Sequence, residues 1–237
     1  MPSASRKIRR DLAKFSVFGT RPQNSIFMPQ VPFNLRNDCR LGQWKVGEED
    51  YRGKEIEISM IKVAQFFGNL GKITNSFWLQ VWFVAAPGCD ILPKNTVCLT
   101  YLKKRSIAQF SQKVTELMEK REPALGIFKG SFLKHNGDKG DYYSVAWDWR
   151  ERETEEEMNQ IENIADFMVN NPKMIDLSVN LIPIDDLSMD EIELLMSSAP
   201  SSEIYPVLLT PCKQGSQTKT ISVSILSEKR KNCHENY

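Results

Sequence analysis

Apolar and polar positions alternate through the middle of the chain, and this period of two predicts β-strands. The alternation begins in CRLGQWKVG and becomes strong in KEIEISMIKVAQFF. In the second segment Ile56, Ile58 and Met60 share one parity, whereas Ile61 and Val63 share the other. Because successive side chains point to opposite faces of a strand, this change of parity predicts a β-bulge or sharp bend within one long strand.

The next strand, within SFWLQVWFVAAPG, is apolar on both faces. A strand with one solvated face needs apolar residues on one side only. One complete face is formed by Phe77, Leu79, Val81, Phe83 and Ala85, and the opposite face by Trp78, Gln80, Trp82 and Val84. The two tryptophans of the second face are therefore more than a single core requires.

A third alternating segment, NTVCLTYLKK, is followed by a helical pattern. Ser106 and Gln109 fit a capping box, and the apolar residues after them fall on one stripe until Pro123 ends the helix. Two more strands, ALGIFKGSFLKH and DYYSVAWDWR, are joined by NGDKG, whose turn residues predict a hairpin. From Lys54 onwards the predicted order is strand, strand, strand, helix, strand, strand.

Beyond Arg150 the pattern becomes helical. Thr154 with Glu157 and Ser188 with Glu191 fit two further capping boxes. In the first of these helices we expect an inward stripe of Met158, Ile161, Ile164, Ala165 and Met168. The predicted organisation is a basic, proline-containing arm (1–38), a β-barrel (39–150), an acidic helical extension (151–196) and a mostly flexible tail (197–237).

The net charge of +1 hides a strong division along the 237 residues. Residues 1–150 have 24 Lys and Arg against 14 Asp and Glu, whereas residues 151–204 have 2 basic and 14 acidic residues. Residues 205–237 have 5 basic and 2 acidic residues. Such asymmetry indicates either a polyanion-binding body beside an acidic element or two solvated surfaces of opposite sign.

Several classes of protein are not indicated by the sequence. Its apolar runs fall short of the roughly 18 residues of a membrane helix, and the N-terminus lacks the apolar stretch of a secretory signal. The 5 cysteines are scattered without a C-x-x-C pair, which favours free thiols in a reducing, cytoplasmic compartment. The 2 histidines, His135 and His234, suggest neither a metal pair nor a proton relay. We therefore expect no metal, no cofactor and no enzymatic activity.

The order of three strands, a helix and two strands, with a long bent first strand, resembles the OB-fold over about residues 40–150. The fold class expected from this resemblance is mainly β (α+β), an OB-like Greek-key barrel with one inserted helix. OB-fold proteins commonly bind oligonucleotides around their second and third strands, and the resemblance therefore implies a single-stranded nucleic-acid-binding protein. DNA is the expected ligand and RNA the other, in replication, recombination or strand protection in a bacterium, plasmid or phage.

Proteins of this kind stack bases on aromatic side chains and follow the phosphates with Lys and Arg. The aromatic candidates are Trp78, Trp82, Phe132 and Tyr142. The basic candidates are Lys62, Lys72, Lys103, Lys104, Arg105, Lys129 and Lys134. The resemblance also implies that the acidic segment competes with nucleic acid or recruits a replication or recombination partner. This chain departs from the usual form, because its acidic region is internal and its last residues, KNCHENY, have no acidic tip.

Two alternatives remain open at this point. Trp78 and Trp82 fit base stacking at the surface, and they fit equally well packing beneath the acidic helices or at a subunit interface. Correspondingly, the second functional interpretation is a self-assembling structural or adaptor protein that uses these tryptophans and the N-terminal arm as its interface. Both interpretations predict a homo-oligomer, since exposed aromatic residues and extended arms favour contacts with partners.

Overall fold

The computed structural model describes residues 25–138, 140–171, 181–184 and 187–198. These residues form a mainly β structure in which one sheet curls strongly into a half-barrel. The strands are β1 (Phe33–Asp38), β2 (Gln43–Val46), β3 (Asp50–Gly53), β4 (Ile56–Leu70), β5 (Ile73–Ala85), β6 (Cys98–Lys103), β7 (Ile127–Gly137), β8 (Gly140–Arg150) and β9 (Leu181–Pro183). The α-helices are α1 (Arg105–Met118), α2 (Glu155–Asn170) and α3 (Met189–Ser198), with a short 3-10 helix at Pro123–Leu125.

The strands lie in the order β3-β2-β1-β6-β5-β4-β7-β8. β1 runs parallel to β6, and the other neighbouring pairs are antiparallel. The long strand β4 pairs with β5 along most of its length, and its other edge is shared by β7 at Ile56–Ile58 and by β9 at Phe66–Gly68. In a closed barrel of the five strands β4 to β8, β8 would pair with the outer edge of β6. Here β1 pairs with that edge of β6 instead.

The predicted change of parity in β4 is confirmed. The register between β4 and β5 shifts between Met60 and Lys62. Ile58 and Met60 belong to the core inside the curl, whereas Ile61 and Ala64 belong to a second core on the other side of the sheet. Val63, which has the same parity as Ile61 in the sequence, packs on the first core. The bulge therefore changes the positions of β4 that face the first core from even-numbered to odd-numbered residues.

The two faces of β5 are buried in different cores. The first core lies inside the curl, where Val81 and Phe83 meet Trp44, Phe128 and Trp147. The second core covers the opposite face and includes Trp78, Trp82, Val84, Leu99, Tyr101, Ile161, Ile164 and Phe167. The last three residues belong to α2, so the acidic helix covers the face of β5 that contains the two tryptophans.

The N-terminal capping box predicted for α1 is wrong. The helix begins at Arg105, its N-cap Lys104 makes no side-chain capping bond, and the two polar residues point instead to β8. The Ser106 hydroxyl accepts a hydrogen bond from the Val145 backbone N–H at 2.9 Å, and Gln109 Oε1 accepts one from the Ser144 hydroxyl at 2.7 Å. Side chains that fit a local cap in the sequence thus fix α1 against β8.

The capping box of α2 is confirmed. Thr154 Oγ1 accepts from the Glu157 N–H, and Glu157 Oε2 accepts from the backbone N–H groups of Thr154 and Glu153. The inward stripe was predicted only in part, because Met158 is exposed whereas Glu157 and Gln160 are buried. Polar residues occupy part of the buried face of α2. For this reason the apolar pattern alone predicted the wrong position for that face.

A buried polar network holds the start of α2 on the sheet. The Arg152 guanidinium donates to Ser59 Oγ at 2.9 Å and to the Glu157 carbonyl at 2.9 Å. Gln160 accepts from Ser59 through Oε1 at 2.5 Å and donates to the Ala85 carbonyl through Nε2 at 2.8 Å. Burial lowers the pKa of Arg152 to about 10, a value at which the group is still charged near neutral pH.

The segments at the two ends of the described chain also contribute to the fold. Residues 33–38, which the sequence interpretation placed in the N-terminal arm, form β1, and Leu35 is fully buried in the first core. Near the other end, Ile184 and Ile192 pack on Phe67 in a small third core, and the Ser188–Glu191 capping box is confirmed. The predicted arm before residue 25 and the tail after residue 198 lie outside the described residues.

Candidate functional site

Trp78 and Trp82 are not at the surface. Trp82 is fully buried and Trp78 is 5% exposed. The Trp82 indole N–H donates to Gln80 Oε1 at 2.8 Å, and that of Trp78 donates to the Gly68 carbonyl at 3.2 Å. Because Ile161, Ile164 and Phe167 of α2 cover this face, the prediction of exposed stacking rings is wrong. Packing beneath an acidic helix, the alternative left open by the sequence, accounts for both tryptophans.

Four other predicted residues have separate surroundings in the fold. Phe132 is half-buried against Trp44, with ring centroids 5.1 Å apart, and thus packs on the first core. Lys129 lies near the start of β7 with its Nζ 2.7 Å from Glu55 Oε2, an ion pair that raises the pKa of the lysine. Lys62 is half-buried opposite Trp82, and Lys72 is exposed in the turn between β4 and β5.

Four further predicted residues, Lys103, Lys104, Arg105 and Tyr142, lie at one end of the half-barrel. We call this the basic end and define it as these four residues together with Arg40 and His135, which the sequence did not predict. The guanidinium carbon of Arg105 lies 5.8 Å from the centre of the Tyr142 ring. On β7, the His135 ring is 5.1 Å from the Tyr142 ring, with 33° between their planes. Tyr142 is 37% exposed, so this stack of three side chains is accessible to solvent.

The turn after β1 brings Arg40 to the same end. The Tyr143 backbone N–H donates to the Cys39 carbonyl at 2.8 Å, which places this turn against the start of β8. Burial raises the pKa of the Cys39 thiol, and the positive charge of Lys103 partly opposes that increase. Arg40 follows Cys39 in this turn and Lys103 ends β6, so both residues lie on the side of the basic end that β1 and β6 form.

The backbone at the centre of the basic end is strained. Lys104, between the end of β6 and the start of α1, has a φ of 47° and a ψ of −121°. A side chain other than glycine at such angles costs on the order of 1–3 kcal/mol and persists only where the surroundings enforce it. The chain turns at Lys104 from β6 into α1. Lys103 therefore ends the strand and Arg105 begins the helix, and the three cationic residues lie at this turn.

Two carboxylates near the basic end are already engaged. Asp38 Oδ2 lies 3.3 Å from Lys45 Nζ, while Asp38 Oδ1 accepts from two backbone N–H groups of its own turn. Asp141 Oδ2 lies 2.5 Å from Lys134 Nζ. Lys134, a predicted phosphate contact, is therefore an ion-pair partner on the hairpin.

His135 and Arg40 were not predicted as site residues. The signal for His135 was available in the hairpin: with Gly137 opposite Gly140, the register places His135 opposite Tyr142. His135 Nε2 lies 2.7 Å from Ser144 Oγ, which in turn donates to Gln109 Oε1. Partial burial and the charge of Arg105 hold the pKa of His135 below its usual 6.5. The hairpin register could thus have paired His135 with Tyr142, whereas its contacts with Ser144, Gln109 and Arg105 depend on the packing of α1.

The acidic surface and a cavity lined partly by α2 lie elsewhere. α2 starts after Arg150, at the opposite end of β8 from Tyr142, and its exposed side includes Glu155, Glu156 and Asp166. A cavity of about 300 Å³ lies between the first turns of α2 and the connection from β5 to β6. Within the described ranges, no group of three or more His, Cys, Asp or Glu side chains is placed to hold a metal ion.

Comparison with protein families, curated proteins and solved structures finds no match to this chain. Among the helices in the described part of the chain, none is both long and apolar enough to cross a membrane. The functional argument therefore depends on the basic end itself.

Proposed function

We propose that this protein binds single-stranded nucleic acid, with DNA as the first candidate, at the basic end. The observation that carries the proposal is the solvent-accessible stack of Arg105, Tyr142 and His135 beside further cations. Aromatic rings and guanidinium planes are the groups on which single-strand-binding proteins stack bases, since every base has a π-face. The partly exposed Tyr142 takes the role that the sequence interpretation assigned to Trp78 and Trp82.

The surrounding charges suit a phosphate backbone. Lys103 and Lys104 directly precede Arg105 in the chain, and Arg40 lies in the turn whose Cys39 carbonyl is bonded to Tyr143. Asp38 and Asp141 are each paired with a lysine. Cations on either side of an aromatic platform allow a strand to place its bases on the rings and its phosphates against the positive charge. Since the sequence of the strand is not read by such contacts, we expect little sequence preference.

The fold is consistent with this role under the OB-like interpretation, which we retain as part of the proposal. The five strands β4 to β8, with α1 between β6 and β7, have the order of strands and helix expected of that barrel. Its second and third strands are β5 and β6, whose usual binding face is occupied by α2. OB-folds also bind oligonucleotides through the loops between strands 1 and 2 and between strands 4 and 5. We therefore expect contact at the β4–β5 turn, which contains Lys72, and at the β7–β8 hairpin, near Tyr142.

The test is the binding of fluorescein-labelled oligo-dT, followed by fluorescence anisotropy as the salt concentration is raised. With several phosphates neutralised at about −0.7 each, the log–log slope of affinity against salt should be about −2 to −4. No binding at about 50 mM salt, or binding that does not respond to salt, would contradict the proposal.

The substitution Tyr142→Ala distinguishes base stacking on the tyrosine ring from electrostatic attraction of the strand to the protein. The variant should weaken binding by about 5- to 150-fold, which corresponds to ~1–3 kcal/mol for a stacked base. Tyr51→Ala is the matched control: Tyr51 is 44% exposed, has Lys45 Nζ 5.7 Å from its ring centre, and lies on the edge strand β3. Equal losses in the two variants would show that Tyr142 has no special part in binding.

The self-assembling adaptor is the other functional interpretation, with Trp78, Trp82 and the N-terminal arm as its interface. Both tryptophans are buried within one chain, whereas the arm before residue 25 lies outside the described residues. Roles in replication, recombination or strand protection remain predictions that follow only once binding is measured.

A further inference from the structure

We propose that His135 is a proton-dependent contact of the basic end: in its cationic form it binds a phosphate of the strand, so that affinity rises as the pH falls below neutral. This inference rests on the proposed nucleic-acid function and adds a form of regulation to the same site. It follows from the hydrogen bonds that fix the imidazole and from the charges around it.

The hydrogen-bond chain determines which nitrogen is free. Ser144 has a single hydroxyl proton, and it donates that proton to Gln109 Oε1 at 2.7 Å. The contact of 2.7 Å between His135 Nε2 and Ser144 Oγ must then have the imidazole as donor. Neutral His135 is therefore protonated on Nε2, and the second proton binds at Nδ1.

The same chain holds the ring in place. Gln109 belongs to α1 and Ser144 to β8, and both are fixed because α1 packs on β8. The half-buried ring of His135 lies beside Tyr142. Protonation therefore adds a positive charge and a new N–H donor to a ring that already forms part of the stack, without requiring it to move.

The charges facing His135 explain why a phosphate changes its protonation. Arg105, at the start of α1, is close enough for its charge to act on His135, and Tyr142 faces the imidazole from β8. On the other face of the hairpin, Lys134 and Asp141 neutralise one another, and Asp138 lies at the exposed end of the loop. Arg105 and partial burial both disfavour the imidazolium in the free protein. A phosphate placed between Arg105 and His135 reverses this balance, since it attracts the imidazolium and offsets the charge of Arg105.

The sign of the effect follows from linkage. If the bound strand raises the pKa of His135, binding takes up a proton, and affinity increases as the pH falls through the bound-state pKa. The increase ends below the free-state pKa, where His135 is already cationic in both states. Each unit of difference between the two pKa values corresponds to about a tenfold change in affinity.

The experiment measures oligo-dT affinity by anisotropy between about pH 5 and pH 8 at constant ionic strength; thymine is chosen because it does not titrate in this range. We expect affinity to rise several-fold towards low pH in the full-length protein and in His234→Gln, in which the other of the chain's 2 histidines is replaced. His135→Gln should remove the response, since glutamine can donate to Ser144 but cannot gain a proton. An NMR titration of the His135 imidazole should show a higher pKa with oligo-dT than without it.

The possible outcomes separate this inference from the proposed function. Binding that depends on salt and on Tyr142 but not on pH would overturn the role of His135 and leave the function standing. An equal pH response in His135→Gln would likewise overturn it, because another group would then take up the proton. If the variant does not fold, the NMR titration of the unaltered protein decides, and an unchanged pKa counts against the inference. Absence of binding throughout the pH range would overturn both proposals.

Discussion

Tyr143 and Cys39 are joined by a backbone hydrogen bond of 2.8 Å between strands that are not neighbours in the sheet. Tyr143 lies near the start of β8 at one edge, and Cys39 follows β1, from which β8 is separated by the four strands β6, β5, β4 and β7. The bond draws the two sides of the half-barrel together at the basic end. Arg40 and Tyr142, the sequence neighbours of these two residues, are brought to one surface by this closure.

Gly42→Ala should disrupt the closure. Gly42 has a φ of +66°, and a Cβ at this position would lie 2.7 Å from Cδ1 of the Tyr143 ring. Backbone strain alone costs roughly 1–2 kcal/mol, and displacement of the ring adds to it, so we expect a loss of about 2–4 kcal/mol in the free energy of unfolding. Urea denaturation measures the loss.

Gly47→Ala provides the control for that substitution. Its φ of +62° is nearly the same, but a Cβ there would meet nothing within 4 Å. We expect this variant to lose only the backbone contribution of about 1–2 kcal/mol. Equal losses in Gly42→Ala and Gly47→Ala would mean that the contact with Tyr143 adds no stability.

Gln160→Ala should loosen α2 from the sheet. The side chain is 6% exposed, accepts from Ser59 and donates to the Ala85 carbonyl, which the substitution would leave buried without this donor. We expect a loss of about 2–3 kcal/mol. The neighbouring Asn159 is exposed, and Asn159→Ala should change stability by less than about 0.5 kcal/mol. A thermal denaturation series in which the two variants behave alike would contradict the proposed anchoring role.

Stability should fall in acid because of Glu157. The hydrogen bond from Arg150 is the main cause that lowers the pKa of this carboxyl from 4.5 to about 2. A group with a depressed folded-state pKa contributes its full stability above about pH 4.5 and loses it as the pH falls towards 2. With Arg150 partly exposed to solvent, we expect a contribution of about 2 kcal/mol. Glu157→Gln should lower stability at neutral pH and flatten the decline between about pH 4.5 and 2; an unchanged acid profile would rule out this assignment.

Trp82→Phe should affect folding and leave binding intact. The substitution removes the donor to Gln80 Oε1 inside the second core, and an unsatisfied buried acceptor costs about 1–3 kcal/mol. We expect a lower unfolding midpoint and unchanged oligo-dT affinity in the folded variant. The reverse result, lost affinity with full stability, would restore the interpretation of Trp82 as a surface stacking residue.

Local features of the fold were accessible from the sequence. The parity change in β4, the hairpin between β7 and β8 and the capping box of Thr154 with Glu157 each depend on neighbouring residues, and all three are confirmed. The covering of Trp78 and Trp82 was not accessible in the same way. Two apolar faces of β5 indicate two partners, but the partner of the second face is a helix about eighty positions later.

The candidate site was predictable as single residues and not as an arrangement. Arg105 and Tyr142 were both named from the sequence, whereas their proximity depends on how α1 packs against β8. The residues that fix this packing, Ser106 and Gln109, fit a local capping box equally well. Tertiary packing determines whether such a side chain bonds to a local or to a distant partner. The pattern of residue types along the chain does not contain this information.

The pairing of Ser59 with Gln160 spans 101 positions, and this separation has a consequence for synthesis. Domains emerge from the ribosome N-terminus first, and contacts between distant positions form late. While α2 is still untranslated, the nascent sheet presents Trp78, Trp82 and Tyr101 uncovered to its surroundings. During that interval the chain offers an aromatic surface to chaperones or to other nascent chains, and a message truncated before residue 155 would leave that surface permanently open.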